Sequence, residues 1–348
     1  MKTRNIFRSW GKVLLGHTPL LSIEITRECP LHCPGCYAYG DNHLGGDVTL
    51  RELNDKRGDD LVRGVLELVD RHKPLQVTLV GGEPMVRHRE LSRILPELSD
   101  RGIFTMVVTS GIIVIPTEWM SVPRFTIAVS IDGLPEHHNV RRAPATYERL
   151  LSNLKGRRVN IHWTITAQML GRRDYLEEYV RFWSVREEVA HIWVSLYTPQ
   201  RGEKSAERLS PSQRAFVASE LPRLRAQFPK LLTPSGYGQA LLHPPESPKS
   251  CGFSRLSKNY SADFRTQVEP CVFGGDPDCS QCGCSASAAT HWISEIRLAG
   301  PLKAKHLLHG SMAIGSTVAR LQRLALPAWR EREEGVPKEE DLVQISMD

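Results

Sequence analysis

The sequence predicts an α/β fold built on a parallel sheet. Six apolar, strand-like runs alternate with helix-periodic runs between residues 20 and 196, an order that right-handed crossovers turn into a parallel sheet. The stretches richest in Gly, Cys and acid follow directly on strands, at the ends where active sites gather in barrel folds. Cysteine is confined to two islands, three at 29–36 and five at 251–284, with over two hundred residues between them.

The strand before the first island covers 20–26. A polar stretch follows, then a helix over 49–71 in which Leu53, Leu61, Val65 and Leu68 recur at helical spacing. Residues 75–80 form a buried strand ending in GGEP, and 87–101 a helix stopped by Gly102. Strands at 104–108 and 125–130 end in TSG and IDG. A helix at 146–154, a strand at 159–166, a helix at 173–183 and a strand at 191–196 complete the series. A helix with a Ser-Pro start covers 210–228, and the Pro-rich stretch 231–250 marks a boundary. The expected organisation is an N-terminal extension (1–19), the α/β unit (20–230), a linker (231–250), a Cys-rich unit (251–300) and a terminal segment (301–348).

A chain of 348 residues, 41% hydrophobic, supplies one large core and a smaller unit. A net charge of +6 does not by itself argue for nucleic acid, and no such partner is expected. No run of about 18 apolar residues spans a membrane, and the start MKTRNIFRSWGKVLLG lacks a signal-peptide core. Eight cysteines without an export signal point to a reducing cytoplasm and to metal or cluster chemistry. Residues 301–330 carry five Lys/Arg and no acid, whereas 331–348 carry seven acids and two bases. The apolar positions among 301–330 allow either a helix packed on the barrel or a basic amphipathic helix in peripheral contact with a membrane.

Cys29, Cys33 and Cys36 form C-x3-C-x2-C in ITRECPLHCPGCYAYG. Three thiolates on a [4Fe–4S] core leave one iron without a protein ligand, free to bind a substrate or cofactor. Structural zinc or a disulfide would more often show a second C-x2-C pair or a short secreted chain. The pattern, with Tyr37 after the third Cys, resembles the signature of radical S-adenosylmethionine (radical SAM) enzymes. That resemblance implies a partial (β/α)6 TIM-like barrel with a small Cys-rich C-terminal extension.

It also implies a SAM site. Gly81-Gly82-Glu83-Pro84 resembles the GGE motif that holds the SAM amino group. Thr109-Ser110-Gly111 resembles the T-N-G after the third strand, with Ser110 in place of Asn. Ser130-Ile131-Asp132-Gly133 and the following HHNVRRAPATYER resemble S-[IL]-D-G and H-D-x-x-R … G-[ST]-[FY]-E-R, with Asn139 for Asp and Ala145 for Gly. Ser130 and Arg142 would contact the SAM carboxylate, a task for which a guanidinium is well shaped, and Asp132 would line or brace the same loop. A surface role for Arg142, beside Arg141, is the plainer alternative. Gln168 and Tyr197, just past the fifth and sixth strands, are candidates for the pocket mouth.

The second island, Cys251, Cys271, Cys279, Cys282 and Cys284 around a short hairpin, resembles the SPASM or twitch extensions that hold an auxiliary [4Fe–4S] cluster. Cys251, Cys271, Cys279 and Cys282 are the expected ligands, Cys284 the least secure, and a zinc ribbon stays open. The resemblance thus implies reductive cleavage of SAM to a 5′-deoxyadenosyl radical, hydrogen abstraction from a peptide, small molecule or lipid, and a flavodoxin- or ferredoxin-like electron donor. A non-catalytic iron–sulfur or zinc scaffold is the competing reading.

Overall fold

The computed structural model describes residues 3–36, 38 and 54–325. Tyr37, the first residues of the helix expected at 49–71, and the acidic tail lie outside them. The elements run α1 (Thr3–Leu14), β1 (Leu20–Glu24), α2 (Gly58–His72), β2 (Gln76–Val80), α3 (His88–Asp100), β3 (Phe104–Thr109), β4 (Phe125–Ser130), α4 (Pro135–Arg141), α5 (Tyr147–Leu154), β5 (Val159–Ile165), α6 (Tyr175–Ser184) and β6 (Val189–Leu196). Then follow α7 (Pro211–Gln227), α8 (Tyr237–Leu242), α9 (Gly252–Leu256), β7 (Ser257–Tyr260), α10 (Ser285–Glu295), the small pair β8 (Arg297–Ala299) and β9 (Leu302–Lys303), and α11 (Ala304–Ala325).

The expected α/β partial barrel is present. Its strands lie in the order β6-β5-β4-β3-β2-β1-β7, all parallel. Strand periodicity places Ile161, Trp163 and Ile165 of β5 on the helix-facing side, fully buried. Trp163 stacks on Tyr179 of α6 with centroids 3.9 Å apart. His162 and Thr164 fall on the opposite face, toward the barrel interior.

The seventh strand comes from the second Cys island. Leu20–Ile23 of β1 pair with Ser257–Tyr260 of β7, and His72 of α2 holds the Tyr260 hydroxyl at 2.9 Å. The hairpin expected between Cys251 and Cys271 follows: Val268 N donates to Asn259 O and Ser261 N to Thr266 O, each at 2.9 Å. Four residues (SKNY) are too short and polar to announce a barrel strand. α10 packs on β6, α8 and α9, and α9 on β7, so this region links the two edge strands. Within 231–250, α8 packs on α7 and buries Tyr237, Ala240 and Leu241.

Helix α2 starts at Gly58, later than its apolar spacing suggested, with Asp59 and Asp60 in its first turn and Arg71 and His72 in its last, where the macrodipole favours each. The residues before it are extended because Asp55 is drawn to the β1 exit, as described below. The segment 301–330 does form a helix. α11 packs on α1 through small residues: Trp10 Nε1 donates to Ser311 Oγ at 2.6 Å, and a Cβ on Gly315 would lie 1.9 Å from Val13 O. No helix among the described residues is long and apolar enough to cross a membrane.

Candidate active site

The first Cys loop continues from β1, and the β2 exit is zipped onto it. Ile25 N donates to Val80 O, Gly82 N to Thr26 O and Glu83 N to Glu28 O, at 2.8–2.9 Å. This contact explains both glycines. A Cβ on Gly81, whose φ is +141°, would lie 2.2 Å from Thr26 O, and one on Gly82 2.4 Å from Glu28 O. The close approach is to the Cys-loop backbone.

Glu83 is buried and spans two strand exits. Its carboxylate accepts from Met85 N at 3.0 Å, Ser110 N at 2.8 Å, and the hydroxyls of Thr109 and Ser110. The GGE and TSG segments therefore form one unit. Pro84 opens the buried turn after it. Burial, with the Glu83 charge and its fellow thiols, pushes the Cys29 thiol up to about 11. Cys36 is raised likewise, chiefly by burial. The three thiols and Glu83 thus share one electrostatic neighbourhood at the C-terminal ends of β1, β2 and β3.

Asp132 is fully buried at the end of β4. It accepts from Arg141 Nη1 at 2.5 Å, Arg142 Nε at 2.7 Å and Thr164 N at 3.1 Å. Burial alone would raise its carboxyl, but Arg142 and Arg141 together hold it well below the usual carboxylate range. His138 Nδ1 accepts from Asp132 N at 3.1 Å and its Nε2 contacts Ala145 O at 2.8 Å, the geometry of a neutral imidazole that donates through Nε2. Burial pulls this histidine down to about 4. Arg142 Nε is committed to Asp132, while its terminal nitrogens have no hydrogen-bond partner among the described residues. The guanidinium lies in the field of Cys33. Ser130 is buried at the end of β4.

The surface alternative for Arg142 does not hold, since its side chain is 15% exposed and tied to Asp132, and Arg141 beside it is the central clamp. Besides Asp132 it binds Glu207 at 2.7 and 2.9 Å and, through Nη2, the Pro34 carbonyl at 3.1 Å, between Cys33 and Cys36. Nothing local in the sequence signals Glu207, which comes from a distant loop. The same holds for Asp55, which takes Thr26 Oγ1 at 2.6 Å, Arg27 N at 2.9 Å and Arg27 Nε at 3.0 Å and so fixes the strand exit before Cys29. Tyr197 does reach the site: its ring packs on Gly35, where a Cβ would lie 2.4 Å from the hydroxyl, and its OH donates to Glu203. Gln168 is exposed on the turn after β5.

The second island forms a separate pocket. Cys251, Cys271, Cys279, Cys282 and Cys284 all line one cavity, with Phe253 and Phe273. Cys284 sits at the N-cap position of α10, and burial pushes its thiol well above the usual range despite the backbone amides of the first turn. Cys251 Sγ lies 3.3 Å from Ser287 Oγ. Burial pushes Cys271 up to about 12 and Cys279 up to about 11, with neighbouring thiols adding to each. Gly283 presses against β6: Leu196 N donates to Gly283 O at 2.9 Å, and a Cβ there would lie 2.2 Å from Leu196 O. Among the described residues no group of three His, Cys, Asp or Glu is placed to hold a single metal ion.

Residues 23–182 match the family model described as the radical SAM superfamily. A PqqA peptide cyclase of Bradyrhizobium diazoefficiens is 32% identical over 91 residues, 26% of this chain and 22% of that protein. The chain spans less than a quarter of the length of such curated relatives in these matches. Among solved structures, Streptococcus suis SuiB bound to precursor peptide SuiA has a TM-score of 0.57 at 16% identity, covering 78% of this chain and 63% of SuiB. The structure of anSMEcpe with bound AdoMet has a TM-score of 0.53 at 15% identity, covering 77% of this chain and 80% of that one. The Cys loop, the partial barrel and the family match agree, and residues 23–182 of this chain are a radical SAM domain.

Proposed function

We propose that this chain is a SPASM/twitch-type radical SAM enzyme that modifies a peptide. Bound together, a [4Fe–4S] cluster and SAM supply reductive C–S bond cleavage and a radical strong enough to take hydrogen from unactivated carbon. Cys29, Cys33 and Cys36 hold the cluster. Gly81, Gly82, Glu83, Pro84 and Ser110 form the wall at the amino end of SAM. Arg142 takes the carboxylate through the terminal nitrogens that Asp132 leaves free, with Ser130 at the end of β4 as a second contact. Asp132 and Arg141 hold that guanidinium and the Cys loop in register. The barrel walls keep water from the reacting carbon.

The single observation that carries the reading is the convergence of Cys29–Cys36, Glu83 and Arg142 at adjacent strand ends. Five thiols lining one cavity, at sequence spacings that resemble the SPASM and twitch extensions, favour an auxiliary [4Fe–4S] cluster over zinc. Likeness to PqqA peptide cyclases and to SuiB, solved with a precursor peptide, favours a peptide over a small molecule or lipid. A flavodoxin- or ferredoxin-like carrier supplies the electron. The α1/α11 face makes peripheral membrane contact: Leu307, Ile314 and Leu321 are exposed at seven-residue spacing on a helix with basic and no acidic residues. The test is anaerobic reconstitution followed by dithionite and SAM. Formation of 5′-deoxyadenosine is expected; its absence with the Cys29–Cys36 cluster intact overturns the reading.

A further inference from the structure

Arg214 of α7 is a buried cation of unusual surroundings. It is 7% exposed. Its Nη1 donates to Gln281 O at 3.0 Å, and its Nη2 to Cys282 O at 3.0 Å and to Leu241 O. Each of these acceptors is a neutral backbone carbonyl. The buried arginines of the first site are different: Arg87 pairs with Glu28, Arg141 with Asp132 and Glu207, and Arg142 with Asp132. Among the described residues no carboxylate forms an ion pair with Arg214.

A buried charge without an ion-pair partner is costly unless a counter-charge arrives. The group nearest to doing so is the five-thiol pocket, whose Cys282 is the residue Arg214 grips by its carbonyl. We propose that Arg214 is the internal counter-charge of an auxiliary cluster in that pocket and sets its reduction potential. The inference rests on the auxiliary-cluster reading above. Four thiolates around an iron–sulfur core give a net anion that gains a further negative charge on reduction. A fixed cation beside it favours the reduced form, and cluster potentials follow net charge and local hydrogen bonding. Arg214 acts through the Cys282 segment and is a positioning residue, apart from any group that touches substrate.

The test uses the full chain carrying Cys29→Ala, Cys33→Ala and Cys36→Ala, so that only the second pocket is loaded. Iron and sulfide are counted, and the midpoint potential is read by EPR-monitored titration in this background and with added Arg214→Gln or Arg214→Lys. Arg214→Gln is expected to keep its iron and to make reduction at least tenfold less favourable, a fall of about 59 mV for a one-electron couple. Arg214→Lys, which keeps the charge, is expected to retain most of the potential. Equal shifts in both variants, no shift in Arg214→Gln, or loss of iron from both overturn the charge account and leave Arg214 a clamp on Gln281 and Cys282. Absence of iron from the background chain itself overturns the auxiliary-cluster reading, a result distinguishable by the iron count alone.

Discussion

The two cysteine centres are held in opposite ways. The Cys29–Cys36 loop is braced by charge: Asp55, Glu83, Asp132 and Glu207 are fixed by hydrogen bonds and by Arg27, Arg141 and Arg142, with Pro34 O drawn into the same network. The 251–284 pocket is braced by backbone: Gly283 against β6, a hairpin continuing from β7, and a lone arginine on three carbonyls. The difference matches two tasks. On the proposed reading the first site recognises a zwitterion, and its surroundings carry both signs, with the terminal nitrogens of Arg142 left without a hydrogen-bond partner among the described residues. On the same reading the second holds an anionic group, and its one buried cation without a carboxylate is Arg214, whereas the more exposed Arg201 and Arg208 nearby pair with Asp276 and Asp278.

The largest expected effect comes from removing the hub of the charged network. Asp132→Asn leaves Arg141 and Arg142 buried with half their compensation, a loss of roughly 3–5 kcal/mol of folding stability. Urea melts should show it, and calorimetry should show SAM binding lost. If Asp132→Asn melts like the parent chain, the contrast between the two centres is broken.

A smaller effect sharpens the role of the zipped strand exits. Gly81→Ala places a Cβ against Thr26 O at a positive φ, costing roughly 1–3 kcal/mol through overpacking. Iron loading of the Cys29–Cys36 loop should fall while loading of the second pocket is kept, as read by iron counts on variants lacking one or the other cysteine set.

The charged network should also make the molecule acid-sensitive. His138 has a folded pKa of about 4, against about 6.5 in an unfolded chain. The unfolded state therefore takes up the proton first, so this contribution is complete above about pH 6.5 and is lost as pH falls toward 4. The slope approaches about 1.4 kcal/mol per pH unit per group. His72, also at about 4, adds to it with the same sign. Thermal melts between pH 7 and 4.5 should show the decline, and His138→Gln should flatten it. A parent chain whose melting temperature is level over that window contradicts the neutral buried histidine.

The smallest effect lies on the outer helix. Ile314→Ser, at a 55% exposed position, should change stability by no more than about 0.5 kcal/mol and weaken co-sedimentation with anionic phosphatidylglycerol vesicles. Unchanged co-sedimentation removes that helix from any membrane contact.

Much of this was legible in the sequence because its signals are local. Strand and helix periods placed β1 to β6 and the main helices within a few residues, apart from the start of α2, and the motifs at their ends placed Glu83, Asp132 and Arg142 near the first Cys loop. What escaped depends on pairing across the fold. Arg141 reads as one more surface base until Glu207 and Pro34 O are seen around it. Asp55 serves the β1 exit from 28–29 residues further along the chain. β7 is four residues without alternation, defined as a strand by its neighbour β1. Gly283 and Gly35 look like ordinary loop glycines until Leu196 and Tyr197 press against them. Helix α1 carried no expectation of structure, since its partner α11 is about three hundred residues away.

The central claim is two iron–sulfur centres of unlike surroundings in one chain, and the most direct measurement is the metal content of the anaerobically reconstituted Cys29→Ala, Cys33→Ala, Cys36→Ala chain. The account predicts about four iron and matching sulfide retained per molecule, the content of one [4Fe–4S] cluster. Zinc in their place, or no bound metal, would contradict it.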